Sequence, residues 1–91
     1  MNPYTNIEVT QEYIIREFDD ATDIIELMWH RDNEDRIVEA LHETDWLVQI
    51  DNELPTTLDK PIFIPRHQYH RVIKGNGKLR VKINKLNETN R

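Results

Sequence analysis

Ile62-Phe63-Ile64-Pro65-Arg66-His67-Gln68-Tyr69-His70-Arg71-Val72 is the stretch on which the fold turns. Ile62, Phe63 and Ile64 make a short apolar run of strand type, and Pro65 ends it because proline offers no N–H to a ladder. After a polar link, Tyr69 to Lys74 resumes strand-like sequence with His70 near its start. A second polar island of the same character lies upstream at Trp29-His30-Arg31-Asp32. Together the two islands supply two imidazoles and a carboxylate, from His30, His70 and Asp32. That is the ligand set of the 2-His-1-carboxylate facial triad, which covers one face of an octahedral ion such as Fe(II) and leaves the other face open.

Working outward, the flanking sequence is also strand-like. Tyr13-Ile14-Ile15-Arg16-Glu17-Phe18 is rich in β-branched and aromatic residues and closes with Asp19-Asp20, which carry turn chemistry. Trp46-Leu47-Val48-Gln49-Ile50 alternates and stops at Asp51-Asn52. Gly75-Asn76-Gly77 reads as a hairpin turn, and beyond it Leu79, Val81 and Ile83 share one face of a further strand. Short runs at regular spacing predict an all-β barrel or sandwich. One segment pulls the other way. Asp32 to Asp35 followed by Arg36-Ile37-Val38-Glu39-Ala40-Leu41-His42-Glu43 has the local pattern of a capped helix, with acids in its first turn and Ile37, Val38 and Leu41 on one side.

Length and composition limit what such a chain can be. Its 91 residues, 37% hydrophobic, make one domain over residues 1–86 with a flexible tail at 87–91, and a core this small favours a homodimer. There is no cysteine, so disulfide frameworks and thiolate metal sites are excluded. Ile24-Ile25 and Leu27-Met28-Trp29 are split by Glu26, far short of the roughly 20 apolar residues of a membrane span. Met1 to Glu8 has neither a basic start nor an apolar stretch, so no signal peptide is expected and the cytoplasm is the expected setting.

The net charge of −5 conceals an asymmetry: residues 1–59 carry 16 acidic and 3 basic side chains, and residues 60–91 carry 1 acidic and 9 basic ones. The segment from Lys74 to Arg91 has no aromatic residue to stack on bases, which argues against a nucleic-acid partner. Lys74, Lys78, Arg80 and Lys82 are expected instead on the solvated face of late strands lying beside acidic early ones. The remaining partners compatible with these charges are a small anionic ligand or another protein.

The stretch from Trp29 to Ile83, 55 of the 91 residues, resembles a cupin, a member of the small jelly-roll (double-stranded β-helix) superfamily. Cupins carry a first motif of two metal-binding histidines one residue apart, followed by an acidic ligand, and here His30-Arg31-Asp32-Asn33-Glu34-Asp35-Arg36 is similar. Their second motif joins a strand ending in Ile-Pro to a metal-binding histidine about five residues later. Ile64-Pro65 and His70 match it in spacing and residue type. The chain also resembles short cupin-like proteins of large tailed phages. The resemblance implies a cupin-like barrel, turns Ile37 to Leu41 from helix to strand, and implies His30, Asp32 and His70 as ligands to a divalent metal such as Fe, Mn, Ni or Zn.

The departures from the cupin pattern bear on the chemistry. Asp32 stands where the second histidine would be, and Arg36 stands about where the acidic ligand would be, with Asp35 one position away. Neighbouring strand residues point to opposite faces, so Asp35 and Arg36 cannot both line a barrel without a bulge. An inward Arg36 disfavours a dication and favours an anionic ligand. The triad is also similar to that of Fe(II)/2-oxoglutarate oxygenases, in which a basic residue about ten positions after the distal histidine holds the co-substrate. Arg80 has that spacing from His70, but alternation turns it outward.

Arg36, Arg71 and Trp46 are the further candidates for ligand contact, while Trp29 and Trp46 are both expected to close the core. Tyr69 should face away from His70, and His42 and His67 should be exposed. Two functions follow from the resemblance and the residues together. One is a binding or interaction module with a His/Asp-lined interior pocket. The other is a small metalloenzyme using the same triad. Arg36 in place of an acidic ligand, and the lack of an evident general base, favour the first.

Overall fold

The computed structural model describes residues 4–19, 21 and 27–86. Its regular elements among these residues are strands: β1 (Tyr4–Val9), β2 (Tyr13–Phe18), β3 (Asp35–Ala40), β4 (Leu47–Ile50), β5 (Thr56–Thr57), β6 (Ile62–Ile64), β7 (His70–Ile73) and β8 (Leu79–Leu86). They form a five-stranded sheet in the order β1-β2-β8-β3-β6 and a three-stranded sheet in the order β5-β4-β7, with every pairing antiparallel. This is the all-β jelly-roll architecture. No helix among the described residues is long and apolar enough to cross a membrane. The expected turn at Asp20, the run through Ile24, Ile25 and Glu26, and the tail at 87–91 lie outside the described residues.

Period-two alternation positions the core. Leu79, Val81 and Ile83 of β8 are buried while Arg80 between them is exposed. Ile14 and Phe18 of β2 face the same side, as do Ile64 of β6 and Val48 of β4 from the opposing sheet. Burying each aliphatic side chain contributes about 1.5–3 kcal/mol. Trp46 is 0% exposed, lies 5.9 Å from Phe18 ring to ring, and Phe18 in turn meets Tyr4 edge-on at 5.7 Å.

Two readings of the sequence need correction, those of Gly75-Asn76-Gly77 and Trp29, and a third is borne out. Asp35–Ala40 is strand, as the resemblance implies, because it is flanked on both sides by partners: Val38 pairs with Ile83 of β8 and with Ile62 of β6. Tertiary pairing overrides the helical local pattern. Gly75-Asn76-Gly77 does not close a hairpin, since β7 and β8 belong to different sheets. The turn instead carries the chain across the sandwich and is held by the segment before β4. Asp45 accepts the Asn76 backbone N–H at 2.8 Å and its side-chain amide at 2.7 Å, and the Trp46 indole donates to the carbonyls of Asn76 and Gly77 at 3.3 and 3.0 Å. Trp29 is 37% exposed and does not close the core; Trp46 does.

The charge asymmetry resolves into neighbouring strands. Glu17 on β2 accepts from Arg80 on β8 at 2.7 Å and lies 3.9 Å from Lys78, and Glu39 on β3 sits opposite Lys82. The basic late segment is thus the partner of the acidic early one. Arg80, outward and engaged with Glu17, is remote from the co-substrate role that its spacing suggests.

Candidate functional site

His70 opens β7 and lies on the inner face with Val72; it is the one polar residue among the described residues that is buried with the core. His30 is placed against it by an isolated antiparallel bridge. Each backbone N–H donates to the other's carbonyl, at 3.0 Å from His30 and 2.9 Å from His70, so both side chains leave on one side. Their rings stand edge to face with centroids 4.3 Å apart.

Asp32 reaches the pair through the polar link after Pro65. The His67 N–H donates to the Asp32 carbonyl at 2.7 Å, and the Arg66 N–H donates to the Asp35 carboxylate at 2.8 Å. His67 takes a left-handed conformation, φ 65°, to make that turn. The link therefore ties the loop before β3 to the start of β7, bringing Asp32 Oδ2 to 3.2 Å from His70 Nε2. One ligand atom from each of His30, Asp32 and His70 falls within 4.8 Å of the others, a group that can hold a metal ion.

The protonation pattern sharpens this. His30 Nδ1 lies 3.1 Å from the Met28 carbonyl and His70 Nδ1 lies 2.8 Å from the Gln68 carbonyl. A carbonyl only accepts, so both Nδ1 atoms carry a proton, and a neutral ring then leaves Nε2 with its lone pair. This is the tautomer that a metal-binding histidine takes when a backbone carbonyl fixes its other nitrogen. Asp32 Oδ2 is buried and receives no hydrogen bond among the described residues. It lies 3.2 Å from His70 Nε2, and a proton on Nε2 or a cation between the two completes the contact. Burial pushes the Asp32 carboxyl up, but the close approach of His70 and the Arg36 cation outweigh it and hold the group below the usual carboxylate range. His30 sits at the exposed mouth, and burial of its ring toward the interior, the largest effect on it, pulls the imidazole down.

Arg36 points inward, and Asp35, bonded to the Arg66 backbone, points out. The Arg36 guanidinium lies 3.4 Å from Asp32 Oδ1 and donates to Glu34 at 2.9 Å. Both carboxylates offset its charge, so Arg36 acts first on Asp32. The other two candidates for ligand contact stand elsewhere. Arg71 emerges on the face opposite His70, donates twice to Gln49 Oε1 at 3.0 and 2.8 Å, and lies 4.8 Å from the Trp29 ring. Trp46 is inward but sits in the sealed core and does not line the cavity. Tyr69, His42 and His67 are exposed as expected. His42 nonetheless has a structural role, accepting the Arg80 N–H at 3.0 Å.

The triad opens onto a cavity of about 460 Å³ between the sheets, walled mainly by Phe18, Leu27, Val38, Val48, Leu58, Ile64, Leu79 and Val81. Arg16 also lines it, a residue that the motif-based reading missed. The signal was present in the alternation, because Ile14, Arg16 and Phe18 share a strand face and two of the three are core residues.

The fold has solved counterparts. A cupin domain from Bordetella pertussis superposes with a TM-score of 0.55 at 16% identity, covering 96% of this chain and 98% of that one. A cupin-2 domain-containing protein from Shewanella frigidimarina gives 0.57 at 13% identity, over 92% of this chain and 79% of the other. KdgF from a Halomonas species gives 0.61 at 12% identity, over 96% and 82% respectively. No protein-family model matches the sequence, and no curated protein sequence matches it. The chain is therefore similar to cupins in fold, at identities that carry no function across.

Proposed function

We propose that this cupin-fold chain is a small binding module whose cavity mouth holds a divalent cation on His30 Nε2, Asp32 Oδ2 and His70 Nε2. The observation that carries the reading is the buried Asp32 Oδ2, which receives no hydrogen bond among the described residues and lies 3.2 Å from His70 Nε2. A cation satisfies all three atoms at once. Two imidazole nitrogens and one carboxylate oxygen suit Fe, Mn, Ni or Zn better than Mg or Ca, which prefer an all-oxygen shell.

Such an ion supplies Lewis acidity toward water or a carbonyl group at its open positions. Asp32 is the only carboxylate among the described residues lining the cavity, and it is taken up as a ligand. That favours binding over catalysis, with a metalloenzyme as the second reading. A homodimer in the cytoplasm belongs to the same proposal, supported by exposed Ile7 and Val9 on edge strand β1 and Phe63 on edge strand β6.

The test is metal content by plasma mass spectrometry on untagged protein beside its His30→Ala and His70→Ala variants. Near-stoichiometric Fe, Mn, Ni or Zn that is lost from both variants supports the reading. Metal-free protein whose melting ignores added ions sinks it.

A further inference from the structure

We propose that the organic ligand of the cavity is a small amphipathic carboxylate, its head held by Arg16 and its body lying on the apolar walls. Arg16 is the only charged residue on the inner face of β2, between Ile14 and Phe18. Its Nε donates to Asn6 at 2.8 Å and its guanidinium lies 3.8 Å over the Tyr4 ring. These contacts hold the group flat and in place. They leave both terminal nitrogens without a hydrogen-bond acceptor among the described residues, and no carboxylate there lies within ion-pair distance.

A guanidinium that lines a cavity with its terminal nitrogens uncommitted is open to an anionic ligand. Arg36 differs in this respect, since Asp32 and Glu34 offset it. Arg16 is thus the guanidinium of the lining that no carboxylate among the described residues offsets, and a dication on the triad adds to the positive charge. An excess of positive charge between low-dielectric walls attracts an anion. The fork of a guanidinium matches the two oxygens of a carboxylate. Phe18, Val48, Leu79 and Val81 offer the rest of the ligand no polar partner, so its body is apolar. A volume of about 460 Å³ is in the range of small-molecule sites. The inference deepens the cation reading, on which the larger charge excess rests.

The probes are straight-chain carboxylates from butanoate to decanoate, alkylamines of matching length, and inorganic phosphate. Calorimetry is run on wild type, Arg16→Met and Arg16→Lys, with and without added Mn²⁺, after melting curves establish that each variant folds. The expected result is that wild type binds at least one carboxylate and no amine. Arg16→Met should weaken binding by about tenfold or more, the worth of a charge-assisted hydrogen bond, and Arg16→Lys should restore part of it, both with Mn²⁺ uptake intact. Failure of the whole carboxylate series overturns the proposal, as does equal affinity in Arg16→Met or phosphate binding as tight as the carboxylates. Arg16-dependent carboxylate binding in a protein that takes up no metal ion supports this proposal and sinks only the cation reading. Metal uptake without carboxylate binding does the reverse.

Discussion

His30 and His70 hold each other by two backbone hydrogen bonds, at 3.0 and 2.9 Å, and each ring is then fixed from outside by a carbonyl two residues before it in the chain, Met28 for His30 and Gln68 for His70. Backbone carbonyls thus hold Nδ1 of both imidazoles, and Asp32 is the member of the triad that can be changed without altering either ring.

Asp32→Asn should lower both metal binding and stability. Arg36, 3.4 Å from Oδ1, and the neighbouring His70 hold the Asp32 carboxyl below its ordinary value, so the ionised group stabilises the fold, and that contribution is lost as pH falls through the folded value. The metal-free variant is expected to melt below wild type at about pH 7, with the gap closing toward acid, while its metal uptake is lost. A metal-free variant as stable as wild type across that range contradicts this account of the carboxylate.

The crossing from β7 to β8 depends on close approach at Gly75. A Cβ there would meet the Asp45 carboxylate and come within 2.8 Å of the Trp46 backbone nitrogen and 2.9 Å of the Asp45 carbonyl carbon. Gly75→Ala is expected to cost about 1–3 kcal/mol as overpacking against backbone. Unchanged stability in urea denaturation counts against this packing.

Trp46→Phe tests the other tie on that turn. It removes the indole N–H that serves the carbonyls of Asn76 and Gly77 and leaves a small void beside Phe18. The expected loss is about 1–3 kcal/mol. The cavity is not lined by Trp46, so metal uptake should stay at the wild-type level.

Asp45 links stability to pH. The Asn76 backbone N–H, then its side-chain amide, lower the carboxyl below its ordinary value. A carboxyl depressed in the folded state contributes stability above its unfolded value, and that contribution is lost as pH falls through the folded one. Asp45→Asn is therefore expected to melt below wild type at about pH 7, with the gap closing toward about pH 3. A gap of constant size across that range assigns the effect to shape rather than charge.

Much of the architecture was legible because alternation is a local signal. Tyr13–Phe18 and Ile62–Ile64 form strands with those same limits, and Leu79, Val81 and Ile83 face the core together. What local pattern misread depended on distant partners. Asp35–Ala40 has helix-like chemistry and becomes strand only between β8 and β6, and Gly75-Asn76-Gly77 has hairpin chemistry but is held by Asp45 and Trp46, some 30 residues away. The triad was legible in the resemblance to cupin motifs. Arg71 was not assigned to its observed place because residue type says nothing of which end of the sandwich a side chain fills, whereas Trp46 was expected to close the core and does. Arg16 was the reverse case, readable from its strand face yet outside any motif.

The central claim is that both histidines present Nε2 to one ion while backbone carbonyls hold both Nδ1 protons, and proton NMR of the Co(II)-loaded protein tests it most directly. A high-spin Co(II) ion shifts the exchangeable ring protons of its imidazole ligands far outside the ordinary spectrum. Two such signals are expected in water and none in deuterium oxide, with one lost in His30→Ala and one in His70→Ala. A Co(II) titration that produces no shifted exchangeable signal, or signals unchanged by both substitutions, would contradict the site.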